Sequence, residues 1–172
     1  MLNLEIKLSA PFLEDFKNKA ISLGAENKGV LDQTDTYFFI GRKTLKLREE
    51  SSQNYLVYYI RNNDKESKFS KYHILNIPKK ITNLVKSILD TIFRIKIVIN
   101  KKRELFIYKN TRIHFDTVEN LGNFIELETV FGNNSNDTEL EEENHFVIQF
   151  LELNTLEKVS NSYSLLLLLK NQ

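Results

Sequence analysis

Arg112-Ile113-His114-Phe115-Asp116-Thr117-Val118-Glu119-Asn120-Leu121-Gly122-Asn123-Phe124-Ile125-Glu126-Leu127-Glu128 is the stretch that decides how this chain reads. Apolar and polar side chains alternate from Arg112 to Thr117 and again from Phe124 to Val130. Successive side chains of a strand point to opposite faces, so a period of two predicts two β-strands here and not a helix. Their polar faces are selective, with Arg112 and Asp116 on one and Glu126 and Glu128 on the other.

The same pattern extends outward. Leu2, Leu4, Ile6 and Leu8 form one face of an N-terminal strand, and Asn3, Glu5 and Lys7 the other. Ser9 and Pro11 predict a helix start, Phe12, Phe16, Ala20 and Leu23 its apolar stripe, and Gly24 its stop, which makes a helix of about four turns. Gln33 to Ile40, rich in Thr and aromatics, reads as a strand that Gly41 ends. Thr44 to Glu49, with Leu45 and Leu47 opposite Lys46 and Arg48, and the aromatic Tyr55 to Arg61 suggest a hairpin. Asn62 to Lys68 reads as a charged loop and Lys71 to Ile77 as a short strand. Pro78 opens a helix that reaches about Asp90 and carries Ile81, Leu84, Val85 and Ile88. Arg94 to Tyr108 is strand-like, with a hairpin expected inside it, and Asn133 to Asn144 reads as an acidic loop leading to a helix through Phe146, Ile148, Phe150 and Leu151. Roughly eight short strands with a few helices predict an α+β fold: a closed or nearly closed antiparallel β-barrel with helices packed outside.

The 172 residues suit one domain, expected to span 1–172. Charged residues at 27% and hydrophobic ones at 41% argue against disorder and against a membrane protein. With a net charge of only +1, any anion-binding surface must be built locally, and a large nucleic-acid footprint is not expected. The absence of cysteine excludes disulfides, thiol catalysis and thiolate metal sites, which leaves oxygen or imidazole ligands and puts Mg²⁺ or Mn²⁺ first. Glu5 and Lys7 interrupt the N-terminal apolar residues, and the run Leu165 to Leu169 is too short to span a bilayer, so a cytoplasmic location without membrane contact is expected. The apolar segment Tyr163 to Leu169 is expected to pack internally, with a homodimer contact as the alternative.

Strand after strand places long cations or carboxylates at alternating positions: Glu5 and Lys7, Lys46 and Arg48, Arg61, Lys101 and Arg103, Arg112 and Asp116, Glu126 and Glu128. In a closed sheet these side chains converge, and a barrel of about eight strands encloses one small ligand. Clustered Lys and Arg repel one another unless a polyanion neutralises them, and a triphosphate has the right length. Carboxylates among such cations are explained by a divalent ion, with Glu5, Glu126 and Glu128 as its candidate ligands. The competing account makes them solvated outer faces with cross-strand ion pairs, the usual fate of alternating charge. Its weakness is the repetition across so many strands. His73, His114 and His145 are isolated in sequence and read as satisfied or exposed histidines, not ligands.

In this order the residues resemble the CYTH, or triphosphate tunnel metalloenzyme, superfamily, and within it the class IV adenylyl cyclase-like branch. Asn3-Leu4-Glu5-Ile6-Lys7 resembles the family's N-terminal Glu-x-Glu-x-Lys signature. Gln33-Thr34-Asp35-Thr36-Tyr37-Phe38, Leu45-Lys46-Leu47-Arg48-Glu49 and Tyr58-Tyr59-Ile60-Arg61 are similar to the branch's next strands. Lys101-Lys102-Arg103-Glu104 and the opening stretch from Arg112 to Glu128 are the strongest match, and Asn161-Ser162-Tyr163-Ser164 resembles the C-terminal end. The resemblance implies a triphosphate tunnel in which Lys7, Lys46, Arg48, Arg61, Lys71, Lys101, Arg103 and Arg112 bind phosphates, with Lys101 and Arg103 also serving catalysis. It implies that Glu5, Glu126 and Glu128 hold the metal and that Asp116 orients cations, assists with the metal or accepts a proton. Asn3 departs from the pattern by standing where the first glutamate is expected; its neutral carbonyl oxygen brings no charge, which lowers metal affinity or shifts metal preference.

The expected activity is metal-dependent processing of a triphosphate, foremost conversion of ATP to cyclic AMP and diphosphate. Hydrolysis of thiamine triphosphate, tripolyphosphate or a nucleoside triphosphate is the second reading. The third, motivated by Asn3, is a protein that binds a nucleotide or polyphosphate without turnover.

Overall fold

The computed structural model describes residues 2–41, 43–60, 72–131 and 137–171. Nine strands and four α-helices occur among them: β1 (Leu2–Ser9), α1 (Glu14–Ser22), β2 (Glu26–Phe38), β3 (Lys43–Glu50), β4 (Asn54–Ile60), β5 (Tyr72–Ile77), α2 (Thr82–Phe93), β6 (Ile95–Tyr108), β7 (Thr111–Val118), β8 (Gly122–Phe131), α3 (Asp137–Phe150), β9 (Glu157–Lys158) and α4 (Tyr163–Lys170). The sheet order is β5-β4-β3-β2-β6-β7-β8-β1-β9. The described pairings are antiparallel. The α+β antiparallel class and the expected strand number therefore hold, β9 being a two-residue addition.

The chain groups into two compact units, Met1–Leu31 with Lys102–Asn161 and Asp32–Lys101 with Ser162–Gln172. In the first, the apolar face of β1, β7 and β8 supplies Leu8, Ile113, Phe115, Ile125 and Leu127, on which Ala20 of α1, Val147 of α3 and Leu151 pack. Phe106 meets Phe115 edge-on at 5.4 Å within this core. In the second, Phe38, Leu45, Leu47 and Ile77 pack against Val85, Leu89 and Phe93 of α2. Each unit thus spends its period-two apolar face on helices, and the charged face is the one left over.

Four local expectations need correction. β6 runs unbroken through 14 residues, with no hairpin inside it. Asn100 to Lys102 lacks the glycine-bearing pair that reverses a strand, and Lys101 is buried, which a turn tip would not allow. Residues 137–144 are helical where a loop is expected; Asp137 and Glu139 sit in the first turn of α3, where carboxylates complement the helix dipole. α1 spans nine residues, shorter than four turns, and closes as expected before Gly24, whose φ of +88° suits the residue after a helix. β2 starts at Glu26, seven residues before the predicted Gln33; its first part is exposed and lacks the apolar alternation that marks a strand in sequence. Among the described residues no helix is long and apolar enough to cross a membrane.

Candidate functional site

Strand register brings the charged residues of the first unit together. Glu5 and Lys7 of β1 stand opposite Glu128 and Glu126 of β8, which in turn stand opposite Arg112 and His114 of β7. Two rows of three therefore cross the same face, Glu5-Glu128-Arg112 and Lys7-Glu126-His114. Directly opposed residues in antiparallel strands lie close enough for their side chains to interact, so these rows are in contact by construction.

Arg103 of β6 anchors the face. Its Nε and Nη2 donate to Asp116 Oδ1 and Oδ2 at 2.6 and 2.5 Å, a bidentate pair, and Nη2 also donates to Glu126 Oε1 at 3.1 Å. Asp116 is wholly buried and Arg103 nearly so. Lys7 Nζ lies 3.7 Å from Glu126 Oε2, and Arg112 Nη1 donates to Glu128 Oε2 at 3.1 Å. Glu5 is exposed on one side, yet the protein around it strips away water and, together with the Glu126 charge, raises its pKa. His114 lies 3.5 Å from Glu126, and its pKa is lowered by burial and by the Arg103 charge.

The second unit carries a parallel arrangement. Asp35 of β2 stands opposite Arg48 of β3, and Tyr37 opposite Lys46. Asp35 accepts two bonds from Arg48, at 2.7 and 2.8 Å, and one from Lys46 Nζ at 2.9 Å. Burial pushes the Asp35 carboxyl up, but Lys46 and Arg48 outweigh it and hold the group well below the usual carboxylate range. Lys46 Nζ also lies over the Tyr37 ring, 5.5 Å from its centroid, and the buried Lys101 lies 5.3 Å over the ring of Tyr163 at the start of α4. Gln33 donates to Glu50 at 2.6 Å beside them.

Lys7, Lys101 and Arg103 are thus buried, and Lys46 and Glu126 nearly so, which a solvated outer face does not produce. Arg112 stays 43% open and Glu5 is exposed. Of the residues singled out in the sequence, the first unit brings together Glu5, Lys7, Arg103, Arg112, Asp116, Glu126 and Glu128, and the second Lys46, Arg48 and Lys101. Arg61 and Lys71 lie outside the described residues, and Asn3 is described only in its backbone, paired with Val130. Sequence reasoning passed over His114, dismissed as isolated, and gave Asp35 no role although it quoted the segment; opposition in register to Glu126 and to Arg48 is the signal that finds them.

Charge differs between the two faces. The first sets four carboxylates, Glu5, Asp116, Glu126 and Glu128, against three cations, Lys7, Arg103 and Arg112; the second sets Lys46, Arg48 and Lys101 against Asp35 and Glu50. The first favours an added cation, the second an added anion. Among the described residues no three carboxylate or imidazole groups are already gathered to hold a metal. The donor set still fits a hard divalent ion: all its donors are carboxylate oxygens, and the mutual repulsion felt by Glu5 from Glu126 and Glu128 is what such an ion relieves.

A family model described as the CYTH domain matches residues 1–163. No curated protein matches the chain. Among solved structures, the PH1012 protein of Pyrococcus horikoshii is 24% identical, with a TM-score of 0.76 over 95% of this chain and 98% of that one. A Vibrio parahaemolyticus protein named a "putative adenylate cyclase" is 17% identical, TM-score 0.72, over 97% and 98% of the two chains. A Bacillus halodurans protein of the same name is 14% identical, TM-score 0.64, over 94% of each. At these identities the likeness is one of fold.

Proposed function

We propose, from the premise that this chain belongs to the CYTH domain family, that it binds a nucleoside triphosphate with Mg²⁺ or Mn²⁺ and converts ATP to cyclic AMP and diphosphate. Family members are typically divalent-metal-dependent enzymes that process triphosphates. The names of the Vibrio and Bacillus proteins favour the cyclase among the family's reactions. The observation that carries the reading is the burial of Lys7, Lys101 and Arg103 on charged strand faces. Burying cations costs several kcal/mol each, a cost that carboxylate partners such as Asp116 and Glu126 do not always repay, so a protein that retains them has a use for them, and a polyanion is the simplest.

In this reaction the ribose 3′-oxygen attacks the α-phosphorus, a new oxygen–phosphorus bond forms, and the bond to the bridging oxygen breaks as diphosphate leaves with the electron pair. Lys7, Arg103 and Arg112 of the first unit neutralise phosphates and the charge that grows on the leaving group. Asp116 already accepts two bonds from Arg103, so its part is to fix that guanidinium, and the hydroxyl proton passes to water. Glu5, Glu126 and Glu128 would hold the metal, which when bound lowers the pKa of the attacking hydroxyl and draws charge from the phosphates.

The test incubates pure protein with ATP, thiamine triphosphate and tripolyphosphate, each with Mg²⁺ and with Mn²⁺, and identifies the products. Cyclic AMP with equimolar diphosphate is expected. Orthophosphate instead assigns the chain to the hydrolases, and tight binding without product makes it a binding protein. Arg103→Ala should abolish binding and turnover alike; retention of both at wild-type levels would remove the face described above from the function.

A further inference from the structure

The charged face of the first unit holds one buried group that the proposed reaction leaves unused. His114 is 5% exposed, stands directly opposite Glu126, and its Nδ1 has no hydrogen-bond partner among the described residues. Leaving a buried nitrogen in that state is destabilising. The nearest candidate partner is Glu126 Oε1 at 3.5 Å, a few tenths of an ångström beyond a full bond. That oxygen already accepts from Arg103 at 3.1 Å, while Lys7 approaches the other at 3.7 Å. Glu126 is therefore surrounded by two cations and one imidazole. An imidazole that carries its proton on Nδ1 offers Glu126 a hydrogen bond without adding positive charge. Next to an incoming divalent ion the difference matters: a third cation would repel the ion, and a neutral donor does not.

We infer that His114 is a positioning residue that donates its Nδ1–H to Glu126 and fixes that carboxylate for a divalent cation. The inference rests on the metal reading proposed above. Carboxylates that bind metals are held by hydrogen bonds from behind, and loss of such a partner weakens metal affinity about 10- to 100-fold. A small turn of Glu126 closes the 3.5 Å gap and satisfies the orphaned nitrogen in the same movement.

Mn²⁺ binding by the full chain, read from the electron paramagnetic resonance signal of the free ion, tests this in wild type, His114→Phe, His114→Gln and His114→Asn, with circular dichroism melts as a folding control. Asparagine puts an amide nitrogen where Nδ1 stands; glutamine keeps polarity but moves its nitrogen away. The Phe and Gln variants should bind Mn²⁺ about 10- to 100-fold more weakly, and Asn should recover most of the loss. Tripolyphosphate binding measured without metal should not change. Wild-type Mn²⁺ affinity in the Phe and Gln variants overturns the inference, as does equal weakening in all three, which would mark lost packing. Should the wild type take up no Mn²⁺, the metal reading falls and the inference with it. Should it take up Mn²⁺ but no tripolyphosphate, the triphosphate reading alone falls, and the variants still decide the role of His114.

Discussion

Asp35 illustrates how much one side chain decides on these faces. It accepts three hydrogen bonds from Lys46 and Arg48 and is almost wholly buried. Because its folded pKa is depressed, the stability it contributes is fully present above the unfolded value of about 3.9 and is lost as pH falls below it toward the folded value. Asp35→Asn should therefore destabilise the chain at pH 7, by up to about 3–5 kcal/mol, since it strands two partly buried cations. The variant should also lose less further stability than wild type between pH 5 and pH 3. Urea melts across that range check both. In the sequence Asp35 sits within Gln33-Thr34-Asp35-Thr36-Tyr37-Phe38 and reads as strand propensity; its pairing with Arg48 is a matter of register, which a single sequence does not contain.

At the scale of elements, α3 is docked by a small buried network as well as by its apolar stripe. Thr111 and Thr129 share a hydroxyl bond at 2.9 Å, Thr111 donates to Glu143 Oε1 at 2.7 Å, and Asn144 donates to Thr129 at 2.8 Å. Glu143 also accepts from the Asn110 backbone and side chain, closing the β7 turn onto the helix. Thr129→Val keeps the shape but takes away the acceptor of Asn144, and should cost about 1–3 kcal/mol with an unchanged denaturant slope. The acidic composition that suggested a loop here is what the helix uses, part for its dipole and part for this network. The unbroken β6 keeps Lys101 and Arg103 as buried side chains at alternating strand positions.

Across the whole molecule, the question raised by Asn3 turns on charge. β1 places Asn3 in the same alternating series as Glu5 and Lys7, on strand positions opposite β8. If the missing carboxylate limits metal affinity, Asn3→Glu should tighten Mn²⁺ binding by about tenfold or more, since one more anionic ligand adds charge to a hard-ion site. Product formation from ATP should rise with it. Calorimetry with Mn²⁺ and a product assay measure the two separately; a tighter metal without faster turnover would mean that the substitution is not what restrains the reaction.

The sequence by itself determined the antiparallel α+β class, most strand positions and the list of charged residues, because a period of two is a local property that burial of one face imposes on every strand. It also carried the family resemblance, since Arg112 to Glu128 and its companions lie in a fixed order along the chain. Only the tertiary structure decided which acid meets which base. Glu126 gathers Arg103, Lys7 and His114 from three strands, and Asp35 gathers Lys46 and Arg48, because cross-strand register and burial are set by the sheet as a whole. The shifts at Glu5, Asp35 and His114 follow from those meetings, as the energy of a charge depends on its neighbours and on the water excluded around it.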